Sequence, residues 1–170
     1  CIVSWIANTI NVVLLCLLGA SLARGSDRVR IAIGALSGLL FLWAKHPSGL
    51  DWTAARVTWG VMPWWPVQTD IFSLLFSLVA LICLDRYLLS ERRGLLIGAV
   101  ASFIVALLFK EMALVIPLMV PPLVWYRDRT KVIGIGAIFL GPGGLFYVIR
   151  SLAAPAASGL EYEGAYTFLR

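Results

Sequence analysis

The stretch "LLFKEMALVIPLMVPPLVW", residues 107–125, sets Lys110 beside Glu111 between two apolar runs. Ionised side chains in such a setting are costly unless they are paired or meet a polar ligand. Lys110 suits a phosphate, because its ammonium is a compact charge with three donors. Glu111 suits the orientation of that lysine, of a nearby arginine or of a substrate hydroxyl. Adjacent residues on a helix point about 100° apart, so each of the two is expected to reach a different partner. Pro117 follows and leaves the carbonyl of Ala113 without its helical donor. The plain alternative is a polar turn that ends two apolar segments and is held by pairing within the protein.

Three further residues suit the same chemistry. Arg56 can hold two phosphate oxygens at once with its planar fork. His46, the one histidine of the chain, can contact a phosphate or hydroxyl. Asp70 stands where an apolar segment begins, which suits capping of free amides or binding of a sugar hydroxyl. His46, Arg56 and Asp70 belong to "KHPSGLDWTAARVTWGVMPWWPVQTD", residues 45–70, which also holds Trp52, Trp59, Trp64 and Trp65. Tryptophan favours the headgroup level of a bilayer. Trp52, Ala55 and Trp59 fall at helical spacing, so this stretch is expected to form an outer loop or short helix lying on the membrane. No metal site is expected from the spacing of Cys1, Cys16, Cys83 and His46.

The elements that must position these residues follow from composition. Hydrophobic residues make up 61% of the 170, and charged residues only 14%. The apolar residues run in long blocks, which a soluble helix with one wet face cannot use. The expected fold is all-α, a polytopic transmembrane helical bundle of about six spans forming one domain over residues 1–170. The expected spans are 3–23, 29–44, 71–89, 95–109, 112–125 and 132–149. From Leu95 to Trp125 a single helix would be about 47 Å long, too long for one crossing, so a reversal is expected at Lys110-Glu111. Pro142 in "GPGG" is expected to kink or break the last span. "GALSG", residues 34–38, offers a small-residue face for close helix packing.

Charge gives the orientation. Nine cations, in "RGSDRVR", "DRYLLSERR" and "YRDRTK", fall on one side, and Lys45, Arg56, Lys110, Arg150 and Arg170 fall on the other. The richer side is the cytoplasmic one. Asp27, Asp85, Glu91 and Asp128 lie there, where they are expected to be solvated partners of the arginines. The net charge of +5 thus speaks for membrane orientation, and nucleic acid is not an expected partner. Cys1 opens the chain with neither an initiator methionine nor a basic leader, so the chain reads as part of a longer one.

"LLFKEMALVIPLMVPPLVWYRD" resembles the Lys-Glu segment of GT-C superfamily membrane glycosyltransferases, in particular the transmembrane and tetratricopeptide-repeat proteins and their bacterial relatives. The match falls on Lys110, Glu111, Pro117 and the exit at Tyr126 to Asp128. "FLWAKHP" is similar to the family's segment at His46 and Pro47. "VQTDIFSLLFSLVALICLDRYL" is similar at Asp70, with Thr69 where the family carries arginine. The resemblance implies an inverting transfer of a sugar from a polyprenyl phosphate to an acceptor on the extracytoplasmic side, in a bacterial inner membrane. It implies a general base in a first outer loop, N-terminal to these residues, so no catalytic residue is assigned here. It makes no cofactor evident, though a divalent metal fits many members. The expected partners are the bilayer and the polyprenyl-phosphate sugar. The alternative function is a non-catalytic structural or assembly subunit that packs against other membrane subunits.

Overall fold

In the computed structural model residues 2–45 and 65–153 are described. Long apolar runs rich in Leu, Ala and Ile give six α-helices among them: α1 (Ile2–Leu22), α2 (Asp27–Lys45), α3 (Trp65–Ser90), α4 (Arg93–Phe109), α5 (Ile116–Arg127) and α6 (Val132–Ala153). The fold is an all-α helical bundle. Two helical stretches, Thr69–Ser90 and Arg129–Leu152, are long and apolar enough to cross a membrane. Ile6–Leu22 and Arg93–Phe109 are apolar but shorter. Helix α3 starts at Trp65, so the outer segment expected over 45–70 ends earlier, and the rest of it, 46–64, lies outside the described residues.

Ion pairs fix the directions of α3 to α6, and α1 and α2 are placed by the Asn11 and Ser21 hydrogen bonds and by the approach of Gly34 and Gly38 to Cys16. Lys110, after α4, pairs with Asp70 near the start of α3. Lys131, before α6, pairs with Glu91 between α3 and α4. Arg127, at the end of α5, pairs with Asp85 near the end of α3. Glu111 and Arg150 join the start of α5's turn to the end of α6. Successive helices therefore alternate in direction, and the chain does reverse at Lys110-Glu111. Among the described residues, Lys110 and Arg150 lie at one end of the bundle, and Arg127 and Lys131 lie at the other; Arg56 and Arg170 lie outside the described residues.

Helix α1 packs on α2 and on α3, α3 packs most extensively on α4, and α5 and α6 close the other side against α3 and α4. The buried centre lies among α3 to α6, where Phe103 and Phe139 are fully enclosed with ring centroids 5.5 Å apart. The α1–α2 contact is close for a stated reason. A Cβ on Gly34 would sit 2.5 Å from the Cys16 carbonyl oxygen, and one on Gly38 would overlap the Cys16 sulfur. The small-residue face "GALSG" is thus a packing face. Buried polar groups tie the helices further: Asn11 Nδ2 donates to the Ile71 carbonyl at 3.1 Å, and Ser73 Oγ donates to the Ala106 carbonyl at 3.2 Å.

Much of the outside is apolar. Ile133, Leu108, Leu152 and Leu118 are each more than 70% exposed, and they lie on four different parts of the bundle, α6 near its start, α4, α6 near its end and α5. Charged side chains gather at the two ends.

Two proline expectations meet the structure differently. Of the kink or break expected at Pro142, the break does not occur, and helix α6 runs through it. A proline removes one donor, and the remaining ladder of a 22-residue helix holds. At Pro117 the chain avoids the open carbonyl by a different route. Residues Glu111–Val115 form a 3-10 turn, so the Ile116 amide donates to the Ala113 carbonyl, and Pro117 then sits in the first turn of α5, where no donor is needed.

Candidate functional site

Helix α4 ends at Phe109 because Lys110 adopts an extended conformation, φ −162° and ψ 144°. The Lys110 amide still closes the last helical turn onto the Ala106 carbonyl at 3.1 Å, and its own carbonyl accepts from Ala113 at 3.2 Å. Just before it, Phe109 stacks on Phe72 and Phe76 of α3, with centroids 5.4 and 5.7 Å away. This aromatic lock sets the end of α4 against the start of α3. It carries Lys110 to Asp70, with Nζ 2.5 Å from Oδ1. Lys110 is 28% exposed and Asp70 41%, so the pair is open to an entering group.

Glu111 turns the other way. Arg150 at the end of α6 donates from Nη1 to Glu111 Oε2 at 2.6 Å. The Glu111 carboxyl is held below the usual carboxylate range, first by a hydrogen bond with its own backbone amide and then by Arg150. The two neighbours thus do serve different partners, although the break at the extended Lys110, not a helical separation, sets their directions. The result is two separate ion pairs, Lys110–Asp70 and Arg150–Glu111, on adjacent residues of the α4–α5 turn, each partly exposed. Such a pair can accept a phosphate by exchange, when the anion takes over a cation from its carboxylate.

Of the five residues expected at a site, Asp70, Lys110 and Glu111 come together here. His46 and Arg56 lie outside the described residues. Asp70 does not cap α3, because that helix begins at Trp65 and Asp70 lies beyond its first turn. Its role is the pair with Lys110. Arg150 was not expected as a member. The signal was present, since the charge count groups it with Lys110 on one side and it stands near the end of an apolar run, where it complements Glu111. Among the described residues no three His, Cys, Asp or Glu side chains gather as metal ligands.

A second polar node lies at the opposite end. Asp85 is 1% exposed rather than solvated. Arg127 Nε donates to Asp85 Oδ1 at 2.8 Å, and Ser21 Oγ donates to Asp85 Oδ2. Arg127 Nη2 also reaches the Ser21 carbonyl at 2.7 Å. Tyr126 Oη donates to the Leu22 carbonyl at 2.9 Å, and Arg24 lies over the Tyr126 ring, 4.3 Å from its centroid. Both Asp85 oxygens have donors, so this node clamps α1, α3 and α5 together.

Comparison of the chain with family models, with curated proteins and with solved structures gives no match. Function therefore rests on the residues themselves.

Proposed function

We propose that the chain is the membrane-embedded helical part of a glycosyltransferase of GT-C type. In this reading it forms six spans, and the end bearing Asp70, Lys110, Glu111 and Arg150 meets a polyprenyl-phosphate sugar on the extracytoplasmic side. The observation that carries the reading is convergence. Asp70 and the Lys110-Glu111 pair come from two separate stretches that resemble the family, and they meet at one end of the bundle. The membrane part of the reading is supported by exposed apolar side chains on several helices and by charge confined to the ends.

The transfer has a simple balance. An acceptor hydroxyl or amide forms a bond to the sugar C1, the C1–O bond to the phosphate breaks, and a general base takes the acceptor proton. Polyprenyl phosphate leaves with the electron pair. Lys110 exchanges Asp70 for that phosphate and stabilises the charge as it develops. Glu111 keeps Arg150 beside it. Asp70, already held by a lysine, is not assigned as the base.

The test is the activity of full-length Lys110→Met with a polyprenyl-phosphate sugar. The expected result is a folded protein with turnover reduced about 100-fold, the usual effect of losing one such charge contact. Full activity would remove the lysine from the mechanism. A second reading, a non-catalytic membrane scaffold, is favoured by one fact: both charges of the turn already have partners within the chain. Loss of activity only in step with loss of folded protein would favour it.

A further inference from the structure

A cleft of about 450 Å³ opens beside the Asp85 node, between the ends of α1 and α3 and the start of α2. Its polar wall is Arg30, Arg86 and Arg127, and its apolar wall includes Leu17 and Leu89. The three cations are not equally spent. Arg127 is committed to buried Asp85. Arg30 donates from Nε to the Ala20 carbonyl at 3.2 Å, and its Nη1 lies 3.6 Å from Asp27, whose side chain is 92% exposed, so that ion pair is weak and the outer guanidinium nitrogens remain open. Among the described residues no carboxylate pairs with Arg86. The cleft therefore keeps a surplus of guanidinium donors beside exposed apolar side chains, Leu17 at 55% and Leu89 at 57%.

We infer that this cleft binds the phosphate of an anionic phospholipid, with Arg30 and Arg86 on the headgroup and Leu17 and Leu89 against the root of the acyl chains. The inference rests on the membrane reading above, and it concerns the end of the bundle opposite the proposed sugar site. Guanidinium forks match phosphate oxygens in pairs, and a basic pocket between helices on the cation-rich side is where anionic headgroups lie. The same phosphate chemistry is offered by a small water-soluble phosphate ester. Leu17 and Leu89 favour the lipid, because only the lipid brings apolar surface to cover them.

The test uses the purified chain in neutral phosphatidylcholine nanodiscs doped with phosphatidylglycerol, with retained lipid counted by native mass spectrometry. The expected result is selective retention of phosphatidylglycerol by the native protein. Each charge-assisted guanidinium contact to the phosphate contributes about 10-fold, so Arg30→Ala/Arg86→Ala should reduce the selectivity about 100-fold. Arg28→Ala/Arg93→Ala removes the same charge from the same end outside the cleft and should leave selectivity nearly intact. Equal losses in the two double variants would mean diffuse attraction and overturn the site, as would unchanged retention in the first. Arg30→Lys/Arg86→Lys, which keeps the charge, should lie between the native protein and the first variant. Glycerol 3-phosphate should compete poorly. Competition at the concentration of the lipid would overturn the lipid assignment in favour of a soluble ester. A chain that does not enter nanodiscs at all would refute the membrane reading first, so the two failures are distinct.

Discussion

At the scale of single residues, the two ion pairs at the ends of the bundle differ in burial, and so should differ in energy. Lys110 and Asp70 are partly exposed, and such pairs contribute about 0–1 kcal/mol. A double-mutant cycle of Lys110→Met and Asp70→Asn, read by unfolding in detergent, should return a coupling in that range. Asp85 is buried and Arg127 nearly so. Arg127→Met strands a buried carboxylate and should cost about 3–5 kcal/mol. Replacing the pair together with Asp85→Asn should recover part of that loss, because the stranded charge is then gone. Glu111 adds a pH dependence. Its folded pKa is depressed, so its contribution is present above the unfolded value, about 4.3, and is lost as pH falls through the lower folded value. Glu111→Gln should therefore flatten the stability profile below about pH 4.3 and lower stability above it. A profile of the same steepness in both proteins would refute this role.

At the scale of helices, glycines separate into two kinds by what surrounds them. Gly34 lies against the α1 backbone, and a methyl group there would meet a carbonyl oxygen that cannot swing aside. Gly34→Ala should cost about 1–3 kcal/mol by forcing α2 from α1. Nothing stands within 4 Å of a Cβ at Gly136. Gly136→Ala should be neutral or raise stability by up to about 1 kcal/mol, through helix propensity alone. Thermal unfolding of both variants in one detergent checks the contrast. The Gly34/Gly38 face was legible in the sequence because small residues four apart leave a groove that a second backbone can enter. The 3-10 turn at Glu111–Val115 was not legible. It answers to Pro117 and to the aromatic lock at Phe109, and the second of these is a tertiary contact. The absence of a break at Pro142 was not legible for a similar reason, since local chemistry gives the lost donor but not whether the rest of the helix holds.

For the whole molecule, the reversal at Lys110-Glu111 was legible because a helix from Leu95 to Trp125 would be longer than one membrane crossing needs. The pairing of Asp70 with Lys110 and of Glu111 with Arg150 was not, because it depends on which helix ends meet. Asp85 shows the same limit. Its charge suited the basic cluster around it, but its burial follows from Ser21 and Arg127 arriving from α1 and α5.

The alternating helices make a definite claim about a membrane. Helix α4 has 17 residues and is about 26 Å long. The 3-10 turn and α5 together, 5 and 12 residues, reach about 28 Å, because the tighter turn rises more per residue. Both fall slightly short of a hydrocarbon core of about 30 Å, a mismatch that thinning or flanking charges absorb at small cost. Two short helices can therefore be two crossings, with Lys110 and Glu111 at the outer edge and the Arg92–Arg93 and Arg127–Lys131 clusters at the inner one. Single cysteines in a background lacking Cys1, Cys16 and Cys83 test this directly. Met112, 68% exposed and next to Glu111, should be labelled as cysteine by a membrane-impermeant maleimide in intact cells. A cysteine at Arg92 should be labelled only after permeabilisation. Labelling of both positions in intact cells, or of both only in opened ones, would put the two ends of α4 on one side and end the six-span reading.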